Sequence, residues 1–161
     1  MPFKLHDEAE YYFKNIKIKK TSKVNSAESI STLWDMYYLC LIIGMKIDDS
    51  LDPDLQEKIK SNPVFIKKYV KDYENIKFII ISLLIKAESK KLGIDMNEKE
   101  HVIKLIENNT SAEYPYLSAQ GANSLNQYHY LGFEHLKNYI DKPVTEALFW
   151  KNYLNLIREL D

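Results

Sequence analysis

A run of mostly apolar residues, LWDMYYLCLIIGM at 33–45, constrains the fold of this chain more than any other segment. Ile30, Leu33, Trp34, Tyr37, Leu41 and Met45 recur at steps of three and four residues, the period of one helical face. The spacing predicts a buried helix that opens on a Ser26 cap, carries Glu28 in its first turn and ends near Gly44 to Lys46. A second apolar run, FIIISLLI at 78–85, is too short to span a bilayer and has no decisive period of its own. Its length together with the helix-favouring tail KAESKKL assigns it to a helix. That helix stops at Leu92-Gly93, where glycine takes the left-handed conformation without strain.

The remaining segments follow from their punctuation. Asp52-Pro53 and Asn62-Pro63 each place a capping side chain before a proline, the arrangement expected where a helix begins. The first opens a short polar helix to about Lys60, the second a segment with Phe65, Tyr69, Val70 and Tyr73 on one side. Asn97 with Glu100 matches a capping box for a helix whose inward positions are Val102, Ile103 and Ile106. Helices follow from about Ser118 to Tyr130 and from Phe133 to Ile140, separated or kinked at Gly132. The last helix begins near Pro143, with Asp141 as its cap and Leu148, Phe149, Leu156 and Leu160 inward. The fold class is all-α, a compact bundle of six to seven helices with a short extended N-terminal segment. Residues 1–25 form a basic N-terminal arm or short strand, and 26–161 a single helical domain.

Composition narrows the class. At 161 residues and 45% hydrophobic content, the chain is long and apolar enough for one domain with its own core. The one cysteine, Cys40, lies inside the first apolar run, so an intramolecular disulfide is impossible and a cysteine-based zinc or iron site is not expected. The N-terminus, MPFKLHDEAE, lacks the basic-then-apolar layout of a secretory signal, and the expected location is the cytoplasm, away from any membrane.

Signatures of chemistry are sparse. Four glycines leave neither GxGxxG nor GxxxxGK[ST], and HExxH and paired Glu-x-x-His motifs do not occur, so no cofactor and no metal is expected. Cys40 in an apolar helix is an inert thiol. His129 and His135, six residues apart, read first as structural histidines. The alternative is an enzyme in which Glu88, Glu134, His129 and His135 converge in a helical pocket.

Charge is the sharper signal. YYFKNIKIKKTSK, residues 11–23, holds Lys14, Lys17, Lys19, Lys20 and Lys23, and no acid falls between Glu10 and Glu28. Such segregation in a chain of net charge −1 suits a polyanion or an acidic protein face, with Tyr11 and Tyr12 as surfaces on which bases stack. Only Arg158 is an arginine, which disfavours sequence-specific base reading. Two structural readings stand beside this one: lysines guarding an edge strand, with Ile16 and Ile18 inward, or a flexible charged terminus. A second patch, SLNQYHYLGFEHL at 124–136, gathers Asn126, Tyr128, His129, Tyr130, Phe133 and His135 around Gly132. It reads as a protein-partner interface rich in aromatic anchors, or as a place where Gly132 lets two helices pack closely. The high tyrosine content also permits a homo-oligomeric structural protein without requiring one.

The order LWDMYYLCLIIGM, FIIISLLIKAE and SLNQYHYLGFEHLKNYI resembles the layout of small helical accessory proteins of bacterial DNA-modification and phage-defence islands, notably those associated with DNA phosphorothioation. Gly44-Met45, Glu88 and the set Asn126, Tyr128, Gly132 and Phe133 are the matching positions, and the likeness in layout covers about residues 33–140. The resemblance implies a non-catalytic component of a larger DNA-acting assembly and assigns no catalytic residue. The lysine arm would then contact nucleic-acid backbone or an acidic partner.

Overall fold

The computed structural model describes residues 3–17, 30–47, 53–61 and 64–161. Seven helices and one small sheet are present among them: β1 (Phe3–Leu5), α1 (Ala9–Tyr12), α2 (Leu33–Lys46), α3 (Pro53–Ser61), β2 (Val64–Ile66), α4 (Lys71–Leu92), α5 (Lys99–Asn109), α6 (Ala119–Tyr139) and α7 (Glu146–Glu159). The chain is a mostly helical bundle with a short extended N-terminal segment.

Helix α2 is the axis of the bundle. It starts at Leu33 behind a complete capping box, in which the Thr32 hydroxyl accepts the Asp35 N–H and the Asp35 carboxylate accepts the Thr32 N–H at 2.6 Å. The Ser26 cap and Glu28 lie outside the described residues. Trp34, Met36, Tyr37, Leu39, Cys40, Leu41, Ile43 and Gly44 are all buried, so α2 is covered on most sides. Its main neighbour is α6. The two backbones meet where Gly44 faces the Tyr128 carbonyl and Gly132 faces the Cys40 carbonyl, and a Cβ at either glycine would overlap that oxygen. Here the missing side chain sets the distance between the helices.

That contact explains why α6 runs unbroken through Gly132 instead of dividing there as the sequence predicts. A glycine inside a helix costs only about 1 kcal/mol relative to alanine, and the close packing it permits outweighs that loss. Helix α4 ends as predicted, with Gly93 at φ 67° and its last turn closed by Ile94 N–H donating to the Ser89 carbonyl at 2.9 Å.

Several local predictions are corrected. The residues after Asn62-Pro63 form β2, not a helix; β2 pairs antiparallel with β1 in the register Phe3↔Ile66, Lys4↔Phe65, Leu5↔Val64. Val-Phe-Ile suits a strand once a partner is supplied, and the partner comes from the N-terminal segment some sixty residues earlier. The extended reading of Phe13, Ile16 and Ile18 fails for the described part. Phe13 and Ile16 are buried in turns that follow α1, while Ile18 lies outside the described residues. Helix α5 begins behind Glu98 without a side-chain cap, and its inward residues are Leu105 and Asn109. Ile103 and Ile106, predicted inward, are 54% and 41% exposed. Helix α7 is capped by Thr145, whose hydroxyl accepts the Leu148 N–H, and not by Asp141; Phe149, Tyr153 and Leu156 face the core while Leu148 faces out.

Phe3, Leu5, Phe13 and Ile16 belong to the same hydrophobic core as α2, α4, α6 and α7. Phe3 packs edge-on to Trp34 with centroids 4.6 Å apart, and Trp34 donates its indole N–H to the Lys68 carbonyl at 2.7 Å. No helix among the described residues is long and apolar enough to cross a membrane.

Adding one methyl group at the α2/α6 crossing tests this packing. Gly132→Ala is expected to lower stability by about 3 kcal/mol, which for a domain of this size is a fall in melting temperature of roughly 10 °C, measured by circular dichroism. An unchanged melting temperature would mean that the two backbones do not meet there.

Candidate functional site

Helix α6 carries Asn126, Tyr128, His129, Tyr130 and Phe133, all buried; Asn126, His129, Tyr130 and Phe133 recur at three- and four-residue steps along one side, and Tyr128 lies on the other. The sequence offered them as a surface for another protein. In the structure most of them are occupied by the chain's own N-terminal segment. Asn126 Oδ1 accepts the Lys4 backbone N–H at 2.8 Å and the Tyr37 hydroxyl at 3.0 Å. His129 Nε2 accepts the His6 backbone N–H at 2.9 Å, and the Tyr130 hydroxyl donates to the Leu5 carbonyl at 3.3 Å. Phe133 lies against the His6 ring, centroids 4.4 Å apart. The N-terminal segment is thereby stapled to α6 through groups of both backbone and side chain.

His129 is committed on both nitrogens. With Nε2 accepting from His6, Nδ1 carries the proton and donates to the Tyr37 carbonyl at 3.1 Å. The ring stacks on Tyr37 at 4.4 Å and 13° and has no solvent contact. Burial pushes its pKa down to about 3, against the backbone hydrogen bond to Tyr37, so it stays neutral through the physiological range. A histidine so held can neither take nor give a proton to a substrate.

The other nominated groups are similarly engaged. The His6 ring is fully buried, with Nδ1 accepting the Glu8 N–H at 3.1 Å and Nε2 donating to Glu134 Oε1 at 3.1 Å. Glu134 also meets Lys137 at 3.1 Å and Lys58 at 3.6 Å. The hydrogen bond from His6, aided by Lys137, holds its carboxyl down at about 2 despite partial burial. It is therefore a permanent anion and no general acid. Glu88 is buried and accepts the Tyr128 hydroxyl at 2.8 Å, and burial together with this bond raises the Tyr128 phenol well above its ordinary value. Tyr128 and Glu134 are six residues apart, about 9 Å along α6 and on different faces. The two carboxylates therefore do not converge. His135 is half-buried and shares no hydrogen bond with either of them among the described residues. Cys40 is sealed, and burial pushes its thiol up out of the reactive range.

Among the described residues, one set could offer ligand atoms to a metal: His6, Asp7 and Glu8 bring an imidazole nitrogen and two carboxylate oxygens within 4.8 Å of one another. The Nδ1 of that imidazole already accepts the Glu8 N–H and the two carboxylates are exposed, which is the geometry of a hydrogen-bonded turn.

Of the basic run, Lys14 and Lys17 are described; Lys19, Lys20 and Lys23 lie outside the described residues. Lys14 is exposed, and Lys17 meets Glu10 at 3.5 Å. Tyr11 is 67% exposed, with the Lys142 ammonium 3.3 Å from its ring centroid. Asn15 is tied to the Pro143 carbonyl at 3.3 Å, so the start of the basic run sits against the α6–α7 connection. Tyr12 is buried, donating its hydroxyl to the Ile140 carbonyl at 2.9 Å, and has no face to offer a base. Lys142 and His6 are the residues that sequence reasoning missed: one is a lone lysine in a loop, the other a histidine 123 positions from the ring it supports.

The class that fold and site define is a small, mostly helical protein whose chemically versatile side chains are turned inward. Compared with models of known protein families, with curated proteins and with solved structures, the chain matches none.

A folded-state pKa below the unfolded value gives a histidine stability that is fully present above about pH 6.5 and is lost as pH falls from there toward 3. The urea midpoint is therefore expected to decline from pH 6.5 to pH 5, with the slope of free energy approaching ~1.4 kcal/mol per pH unit. In His129→Gln, whose amide can donate and accept in the same two directions, that decline should flatten. An equally steep decline in the variant would remove His129 as its origin.

Proposed function

We propose that this protein is a non-catalytic interaction module of a nucleic-acid-directed assembly, engaging the phosphate backbone through its N-terminal basic residues. One observation carries the reading. The described side chains nominated for catalysis are held in the fold or, like His135, half-buried without a catalytic partner, while the Lys142 ammonium sits over the exposed ring of Tyr11, three residues from the exposed Lys14. Lys142 supports the charge argument from an independent part of the chain, because it adds a cation where the run Lys14, Lys17, Lys19, Lys20 and Lys23 begins. Lysines without arginines favour a contact with phosphates that is indifferent to base sequence. Tyr11 offers a ring on which a single-stranded base could stack; Tyr12 does not. The resemblance in layout of residues 33–140 to accessory proteins of bacterial DNA-modification and phage-defence islands supports a module that leaves catalysis to another subunit.

The measurement is DNA binding, single-stranded and duplex, at two salt concentrations, for wild type and for a variant with Lys14, Lys17, Lys19, Lys20 and Lys23 changed to glutamine. Five phosphate contacts give a log-log salt slope near −4, so raising salt from about 50 to about 200 mM should weaken wild-type binding several hundredfold. The variant should bind poorly at both concentrations. Negligible binding by wild type at low salt rules out nucleic acid and leaves an acidic protein face as the partner.

A further inference from the structure

A second feature lies away from the basic end. The C-terminal half of α4, the end of α2 and the connection after Gly93 enclose a half-open cavity of about 390 Å³. Its walls are Ile42, Met45, Leu83, Ala87, Ile94 and Met96. Every charged residue lining it among the described residues is a lysine: Lys46, Lys86 and Lys90. Lys86 and Lys90 are one turn apart on the same face of α4. Lys86 is exposed and meets no carboxylate among the described residues, whereas Lys46 is paired with Asp161.

Apolar walls under a cationic rim match one ligand chemistry, a hydrocarbon body ending in an anion. The size decides between a small molecule and a protein. A volume of a few hundred Å³ is that of a small-ligand pocket, whereas a stable protein interface takes some 20–30 residues a side, and ten residues line this cavity. Two methionines, Met45 and Met96, give walls that adapt to chains of different shape. We propose that this cavity is a binding site for a free medium-chain fatty carboxylate, its chain against Leu83, Ala87, Ile42 and Ile94 and its head at Lys86 and Lys90. The inference is independent of the nucleic-acid reading, since neither Lys86 nor Lys90 belongs to the basic N-terminal run.

The probes are octanoate, decanoate and dodecanoate below their micellar concentrations, titrated calorimetrically into the full chain. Binding should be one to one and tighten about fourfold per added methylene, the fold-change equivalent of ~0.8 kcal/mol for each buried CH₂. Dodecyltrimethylammonium, with the same chain and the opposite charge, should bind at least tenfold more weakly. Lys86→Glu, at an exposed position, should weaken dodecanoate about tenfold without changing the circular dichroism spectrum. Leu83→Trp, which fills the cavity from its half-buried wall, should abolish binding. If Leu83→Trp proves misfolded, Ile42→Trp fills the opposite wall and gives the same readout. No dodecanoate binding at millimolar concentration, equal binding of the cationic amphiphile, or binding unaffected by a filled cavity would each overturn the proposal. So would capture of an acidic amphipathic peptide in place of the fatty acid.

Discussion

The distance between α2 and α6 is the constraint on which the rest of the structure depends. Gly44 and Gly132 face each other's helices so closely that carbonyl oxygens occupy the space a methyl group would take. At that separation the Tyr37 ring lies flat on His129, the Tyr37 carbonyl reaches His129 Nδ1, and the Tyr37 hydroxyl reaches Asn126. A wider crossing would break all three contacts together and leave several buried polar groups without partners, each costing about 1–3 kcal/mol. The crossing also encloses Cys40, which accounts for its inertness better than any property of cysteine itself.

The polar residues of this core serve as attachment points. Asn126 and His129 present acceptors at the spacing of successive outward N–H groups on β1 and its extension, so the N-terminal segment docks by backbone recognition and not only by burial of Phe3 and Leu5. Fixing β1 on α6 in turn gives β2 an edge to pair with, and β2 holds the chain that leads into α4. Glu134, Lys137 and Lys58 close the outer side of this joint with a partly exposed ionic cluster, to which the buried His6 ring adds a hydrogen bond.

Among the described residues, two regions differ chemically from an ordinary solvated face. One is basic with an exposed tyrosine, at the junction of α1 and the α6–α7 connection; the other is a lysine-rimmed apolar hollow between α2 and α4. They draw on different parts of the sequence, and each is defined by positive charge in a chain whose overall charge is close to neutral.

The amino-acid pattern alone determined the helical class, the burial of residues 33–45, the end of α4 at Gly93 and the segment 53–61, because period, caps and left-handed glycines act within a few residues. It left Gly132 between two readings, an interface glycine or a close helix contact, and broke α6 there, because intrinsic propensity records the cost of glycine in a helix and not the neighbour that repays it. Asn97-Glu100 and the phase of α5 misled for a similar reason: Ile103 and Ile106 fit a helical stripe as well as Val102 and Leu105 do, and which stripe is buried depends on what packs there. The aromatic and polar composition of 124–136 suggested a surface for a partner, whereas Asn126, His129 and Tyr130 hold the chain's own N-terminal segment, a contact that composition does not encode. His6 and His129 are brought together across more than a hundred residues, and the strand pairing of Val64–Ile66 spans some sixty. Only tertiary structure could decide these, since hydrogen bonds between distant backbone segments leave no periodic trace in either segment taken by itself.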